Sequence, residues 1–293
     1  MQSVVSYPDR GDGGDARYRG NFSPRLLEDL FRQFSPASVV DPMAGSGTTT
    51  DVCARMGIAC WTGDLRTGFD ILSDEIPVGA EMGVLHPPYY NMILYSGKVW
   101  GDAPDPRDLS RAPDYDTFLR RLNEAQYRLY ESLRTGGLMA VLVGDLKRRG
   151  KLYPIQRDMH WIGEPVNLVV KIQHNMASNR VDYSGRFIPI VHEYLVITRK
   201  PEAWYVAIRA TNRNRYDMRR YAKSPWRSVV QAGLEAMGGR ASLPALYETL
   251  KDHARVMASK AQGTDWKAQI RRALQVYDDF QNVARGEWKL AWA

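Results

Sequence analysis

The sequence predicts an α/β protein: a doubly wound, largely parallel sheet followed by a small C-terminal domain of helices and a hairpin. Three observations carry this. Apolar runs of strand length alternate with amphipathic helical stretches through the first two thirds of the chain. A glycine-rich turn joins an early apolar strand to a helix. Beyond an Arg-rich stretch the pattern changes to short helical segments. At 293 residues, 44% of them apolar and 25% charged, the chain is long enough for one full α/β domain plus an appended one. The expected divisions are 1–208, a basic linker at 209–223, and 224–293.

The elements follow in order. MQSVVSYPDRGDGGDARYRG lacks the basic-then-apolar layout of a signal peptide and reads as a mobile polar leader, which points to a cytoplasmic protein. From Pro24 to Phe34 the residues Leu26, Leu27, Leu30, Phe31 and Phe34 recur at helical spacing, with Ser23 as N-cap and Pro24 at the first helical position. Ser38 to Asp41 reads as a buried strand, MAGSGTTT as a turn, and Thr49 to Met56 as a helix closed by Gly57. Ile58 to Gly63 completes a βαβ unit. Further strands are expected at Met82 to Leu85, Leu138 to Val143, Leu168 to Ile172 and Tyr194 to Thr198, with a long helix from Tyr115 to Arg134. Helices at roughly 225–237, 242–253 and 264–277, then strands at Phe280 to Val283 and Glu287 to Leu290, make a winged helix.

Composition narrows the function. The longest apolar run, Leu138 to Val143, is far below the ~20 residues that span a bilayer. Cys53 and Cys60 are too few for a Cys-rich zinc site and read as small hydrophobes, and no metal site is expected. Residues 209–272 hold 14 Lys and Arg against five Asp and Glu, so the net charge of +7 is concentrated there. That stretch, with Arg213 and Arg215, suits a phosphate-tracking surface and equally a solvated linker.

The chemistry sits in two motifs. Gly45-Ser46-Gly47 at the end of a parallel strand lets a ligand approach the backbone, and the amides from Thr48 and Thr49 onward lie at a helix N-terminus suited to a carboxylate or phosphate. The other reading of the turn is that it packs a helix on a sheet. Thr50 stands where a dinucleotide fingerprint needs its third glycine, and no Gly-Lys-Ser/Thr follows for a triphosphate. S-adenosylmethionine fits instead: Asp41 is placed for its ammonium, Asp64 for the ribose hydroxyls, and Asp70-Ile71 for the adenine, with a helix cap the other reading of Asp70. In Leu85-His86-Pro87-Pro88-Tyr89-Tyr90, two prolines remove backbone donors and stiffen the turn, leaving outward carbonyls and an adjacent aromatic. That combination suits an amino group held by a side-chain acceptor and a proline carbonyl while Tyr89 stacks on a base.

DPMAGSGTTT and HPPYY together resemble the glycine motif and the D/N/S-PPY motif of the bacterial amino-methyltransferases of DNA, which make N6-methyladenine or N4-methylcytosine. YRGNFSPRLLEDLF, GGLMAVLVGDLKRRGKLYPI and HEYLVITRK are similar to other segments of that family, so the resemblance covers roughly residues 17–200. It implies a Rossmann-like methyltransferase sheet. It further implies S-adenosylmethionine bound by Asn21, Phe22, Ser23, Asp41, Met43, Ala44, Gly45, Ser46, Gly47, Thr48, Thr49, Asp64, Leu65, Asp70 and Ile71. The catalytic group would be His86, Pro87, Pro88 and Tyr89, acting on a base flipped out of double-stranded DNA. His86 departs from the family's usual Asp, Asn or Ser; a neutral imidazole accepts a hydrogen bond from the target amine, and an imidazolium cannot.

Target recognition is expected after the catalytic motif. The loop Asn91 to Asp114 offers Tyr95, Lys98 and Trp100 to close on a flipped base, and the segment His174 to Arg186 offers Asn179 and Arg180 to base edges. Either is equally an ordinary polar loop. In DWKAQIRRALQ followed by FQNVARGEWKL the C-terminal segment resembles winged-helix modules of restriction-modification proteins, which implies DNA contacts by Lys267, Arg271 and Arg272, with protein contact as the other role. The expected activity is a site-specific DNA methyltransferase, adenine N6 favoured over cytosine N4. An inactive DNA-binding protein on the same fold is the rival, and a homodimer is an open possibility.

Overall fold

The computed structural model describes residues 1–174, 188–201 and 225–291. The large domain runs β1 (Val4–Ser6), α1 (Pro24–Phe34), β2 (Ser38–Asp41), α2 (Thr48–Met56), β3 (Ala59–Thr62), β4 (Ala80–Leu85), α3 (Tyr115–Ser132) and β5 (Leu133–Val143). It continues through β6 (Leu146–Arg148), β7 (Lys151–Tyr153), the short α4 (Ile155–Asp158), β8 (Glu164–Ile172) and β9 (His192–Arg199).

Seven strands form one sheet in the order β1-β8-β9-β5-β4-β2-β3. All neighbours are parallel except those of β9, which runs antiparallel to both β5 and β8. Strands covered on both faces need apolar side chains at every position, and the alternation of these strands divides them between two cores. Val39, Met82, Val84, Leu138, Ala140 and Leu142 pack under α1 and α2; Val40, Leu85, Met139, Val141 and Val143 pack under α3. The helical spacing read in α1 holds, since Leu26, Leu27, Leu30 and Phe31 are all buried. Truncating Phe31, 1% exposed, would cost about 3–5 kcal/mol.

Two expectations change here. Part of the N-terminal stretch expected to be a mobile leader is a strand: Val4, Val5 and Ser6 pair in parallel with Val170, Lys171 and Ile172, and Val5 is buried. Three residues are too few to show a period, so the strand escapes pattern reading. The long helix also stops at Ser132, and β5 starts at once with Leu133.

The C-terminal domain comprises α5 (Trp226–Ala236), β10 (Arg240–Ser242), α6 (Leu243–Leu250), α7 (Ala254–Ala261), α8 (Trp266–Val276), β11 (Phe280–Ala284) and β12 (Glu287–Leu290). The hairpin forms as expected, but β10 joins it to give an antiparallel sheet ordered β10-β12-β11. The helix expected at 242–253 ends at Leu250, and α7 follows, capped by the His253 side chain. This domain docks against the N-terminal end of the central strand β5 through Glu235, whose Oε2 accepts from the Thr135 backbone N–H at 2.8 Å and hydroxyl at 2.6 Å. Arg227 links Asp279 at 2.6 Å and Glu75 at 3.6 Å, and the Tyr277 hydroxyl donates to Glu75. Arg213 and Arg215, with the linker expected at 209–223, lie outside the described residues, as do Asn179 and Arg180.

Candidate active site

The chain passes from β2 outward to β3, then crosses back to β4 on the other side of β2. The C-terminal ends of β2 and β4 therefore flank a switch point, where an open α/β sheet leaves a crevice. A cleft of about 780 Å³ opens there.

Its floor is the glycine turn. Gly45 and Gly47 both take positive φ, 52° and 87°, which a side chain would strain. Backbone bonds from Ala44 N to Gly63 O and from Gly63 N to Asp41 O tie the turn to the end of β3. Asp64 completes the tie: its carboxylate accepts from the Gly45 N–H at 2.8 Å and the Arg66 N–H at 2.9 Å. Arg66 in turn donates to the Gly45 carbonyl and lies over the Tyr18 ring. No side chain caps α2, so its first-turn amides are open to a ligand.

Eleven of the residues expected at the cofactor line this cleft: Asn21, Phe22, Met43, Ala44, Gly45, Ser46, Thr48, Asp64, Leu65, Asp70 and Ile71. Ser23, Asp41, Gly47 and Thr49 do not. Ser23 donates to the Arg10 carbonyl, and Gly47 is the N-cap of α2. Asp41 is buried beneath the turn, accepting from the Met43 N–H at 3.0 Å and the Thr49 hydroxyl at 2.5 Å. Burial pushes its carboxyl up to about 6, against the pull of those two bonds. Asp41 shapes the turn from below.

A second cleft, about 890 Å³, lies beside the first and shares Gly20, Asn21, His86 and Tyr95 with it. Pro87, Tyr89, Met92, Ile93 and Glu193 add to its lining, while Pro88 faces the first cleft. Gly20 is required in the shared wall, because a Cβ there would fall 2.0 Å from the Tyr95 hydroxyl. Tyr95 thus borders both clefts, whereas Trp100, expected on the base side, lines the first. The loop holding them is built on buried Asp108, which accepts from the Ser96 N–H and hydroxyl and from the Ser110 N–H.

His86 sits between the clefts, its ring edge-on to Phe22 at 5.0 Å. Its Nε2 lies 3.0 Å from the Tyr89 hydroxyl, which donates to Glu193 Oε1 at 2.6 Å. Glu193 Oε2 accepts from Lys171 Nζ at 2.6 Å. Burial lowers the imidazole to about 4, so it is neutral at pH 7. Burial and Glu193 raise the Tyr89 phenol far above its ordinary value. For Glu193 burial acts upward, but Lys171, His86 and the hydrogen bonds outweigh it and hold the carboxyl below the usual range.

Beyond the second cleft an open groove carries Arg17, Arg19, Lys98 and Arg148, and shares Arg19, Met92 and Ile93 with that cleft. Lys267, Arg271 and Arg272 are exposed on α8, the fourth helix of the small domain. Lys267 lies over the Tyr247 ring, and Arg271 donates to the Tyr247 hydroxyl. Among the described residues no His, Cys, Asp and Glu cluster could hold a metal ion, and no helix is long and apolar enough to cross a membrane. Sequence reasoning missed Tyr18, Phe69, Asp108, Lys171 and Glu193. Only Lys171 left a signal, a charge inside the otherwise apolar run Leu168 to Ile172.

No family model matches the chain, and no curated protein does. Solved structures similar to it include a candidate DNA modification methylase from Thermus thermophilus complexed with S-adenosyl-L-methionine, at 18% identity and a TM-score of 0.31. That match covers 63% of this chain and 61% of the methylase. TrmN from Thermus thermophilus matches at 16% identity, 63% and 51% coverage and a TM-score of 0.35. The N-methyltransferase NodS from Bradyrhizobium japonicum matches at 12%, 66% and 95% coverage and 0.34. Likenesses this distant carry no weight for chemistry or substrate, which rest on the residues.

Proposed function

We propose that the protein is an S-adenosylmethionine-dependent methyltransferase that modifies the exocyclic amino group of a base flipped out of double-stranded DNA, with adenine N6 the favoured target. The observation that carries this is the shared wall: two clefts meet at His86 on a stiff Pro-Pro turn. A donor and an acceptor held on either side of that wall would meet beside the imidazole.

The first cleft fits the cofactor. The uncapped first turn of α2 suits its carboxylate, Asp64 its ribose hydroxyls, and Ile71 and Asp70 its adenine ring and amino group. When bound, S-adenosylmethionine supplies an electrophilic methyl group on a sulfonium. In the second cleft the Pro87 carbonyl and the His86 lone pair would accept the two hydrogens of the target amine, aiming the nitrogen lone pair toward the first cleft. As the nitrogen gains the methyl group it loses one proton, and the neutral imidazole is placed to receive it. The groove with Arg17, Arg19, Lys98 and Arg148 suits the DNA backbone beside the flipped nucleotide. The small domain's order, one helix, a strand, three helices and a hairpin, supports a winged helix, with Lys267, Arg271 and Arg272 offered to phosphates.

The test is methyl incorporation from labelled cofactor into duplex DNA from a host that does not express the protein, with the modified base identified by mass spectrometry. N6-methyladenine is the expected product, and N4-methylcytosine would move the target within the same mechanism. His86→Ala should lose roughly 10²-fold or more in single-turnover rate while binding cofactor normally. Tight cofactor binding with no transfer to any duplex would refute the reading in favour of an inactive DNA-binding protein.

A further inference from the structure

A neutral imidazole has one N–H and one lone pair, so it can accept from a target amine only if the proton is on the other nitrogen. Nothing in the ring itself decides which. The surroundings of His86 decide it through a chain of hydrogen bonds that starts between two strands of the sheet.

Lys171 on β8 and Glu193 on β9 are directly opposed in the antiparallel register, and both are nearly buried. Lys171 has only donors to offer and occupies one carboxylate oxygen at 2.6 Å. The other oxygen takes the Tyr89 proton at 2.6 Å. A phenol has a single proton, and a buried carboxylate is a far stronger acceptor than an imidazole, so the Tyr89 oxygen has only lone pairs left for its other neighbour. That neighbour is His86 Nε2 at 3.0 Å, and the contact is a hydrogen bond only if Nε2 carries the proton. The lone pair is then on Nδ1, which takes no hydrogen bond from any described residue.

The geometry points to Glu193, anchored by Lys171 and acting through the Tyr89 hydroxyl, as a positioning residue that locks His86 in the Nε2–H form and keeps Nδ1 as the acceptor for the target amine. This assignment rests on the reading of His86 as that acceptor, and it adds two residues that the motif itself does not contain. It also makes Tyr89 a relay as well as an aromatic wall.

The test removes both charges together: Lys171→Met with Glu193→Leu, since replacing a buried ion pair by apolar residues of similar size is commonly tolerated where a single deletion is not. Without its carboxylate acceptor, the Tyr89 hydroxyl is free to donate to Nε2, and the imidazole proton should move to Nδ1. Nitrogen-15 NMR of the labelled full-length protein reads the tautomer directly. The expected result is the Nε2–H form in the wild type and inversion in the double variant, with a loss of roughly 10²- to 10⁴-fold in single-turnover methylation and unchanged cofactor affinity. Adding Tyr89→Phe should restore part of the rate, because the donor that enforces the wrong tautomer is gone. A double variant that keeps the Nε2–H form, or that keeps the wild-type rate, overturns the assignment. If the tautomer inverts as expected but the wild type transfers no methyl group to DNA, the relay stands and the proposed reaction falls.

Discussion

Gly144→Ala tests the site from outside both motifs. Gly144 follows β5, and a Cβ on it would lie 2.6 Å from Tyr89 Cε2, 2.9 Å from Cδ2 and 3.3 Å from Cζ. Carbon atoms rest at roughly 3.5–4.0 Å, so the ring would have to retreat by about 1 Å. Its hydroxyl sits 2.6 Å from Glu193 and 3.0 Å from His86. A retreat of that size carries one or both contacts past the limit of about 3.2 Å for a useful hydrogen bond. Overpacking of this kind costs about 1–3 kcal/mol of stability, too little to unfold a domain. Catalysis should suffer more, because a misplacement of about 1 Å at a reacting centre is worth roughly 10²-fold in rate. Neither Gly144 nor Tyr89 lines the first cleft, so cofactor affinity should hold. Urea denaturation, calorimetry with cofactor and single-turnover methylation measure the three quantities. A folded variant with the wild-type rate would refute the role given to Tyr89, and a parallel fall in cofactor affinity would refute the separation of the clefts.

Asp64→Ala should reduce cofactor affinity by at least about tenfold in calorimetry, since it removes both a ribose acceptor and the hold on the Gly45 N–H, each charged hydrogen bond being worth about 1.5–3 kcal/mol; DNA affinity should not change, and unchanged cofactor binding would contradict the cofactor assignment. Asp41 and His86 predict opposed pH slopes in stability. The raised Asp41 carboxyl adds stability below the ordinary Asp range that is lost as pH rises through about 6, and the lowered imidazole adds stability above about 6.5 that is lost as pH falls through about 4. Each amounts to about 3 kcal/mol. Relative to wild type between pH 4 and 6, Asp41→Asn should gain stability as pH rises and His86→Asn should lose it, and urea midpoints that shift in parallel for both would exclude these environments.

Much of the fold was legible because its signals are local. The spacing of Leu26, Leu27, Leu30 and Phe31, the two-faced strands, and Gly57 ending α2 in a left-handed turn each follow from a few neighbouring residues. What escaped depends on partners far along the chain. β1 exists because three residues find the edge of β8, and β10 because three find β12. The antiparallel direction of β9 is a matter of topology that its apolar run does not encode. At the site, the motif residues were readable as a set, but Asp41 could not be told from Asp64. Asp41 ends β2 and Asp64 follows closely after β3, and only burial separates the one beneath the turn from the one in the cleft. Glu193 lies 104 residues from its partner Tyr89, beyond the reach of any spacing argument.

The histidine at the head of the Pro-Pro motif and the buried ion pair explain one another. A carboxylate, amide or hydroxyl at that position offers oxygen lone pairs whatever its neighbours do, so it accepts from an amine without assistance. An imidazole offers one lone pair on one of two nitrogens, and it loses even that on protonation. Using it as an acceptor at neutral pH requires that protonation be suppressed and that the tautomer be fixed. Burial at the wall between the clefts accomplishes the first, lowering the ring to about 4. The second needs an acceptor strong enough to turn the Tyr89 hydroxyl away from the ring, hence a carboxylate that stays ionised while buried. Glu193 does so only because Lys171 stands opposite it on the next strand. A buried ion pair is a poor source of stability. On the proposed relay its place in the fold is accounted for by the tautomer: two charges on β8 and β9 would determine which nitrogen of His86 carries the proton.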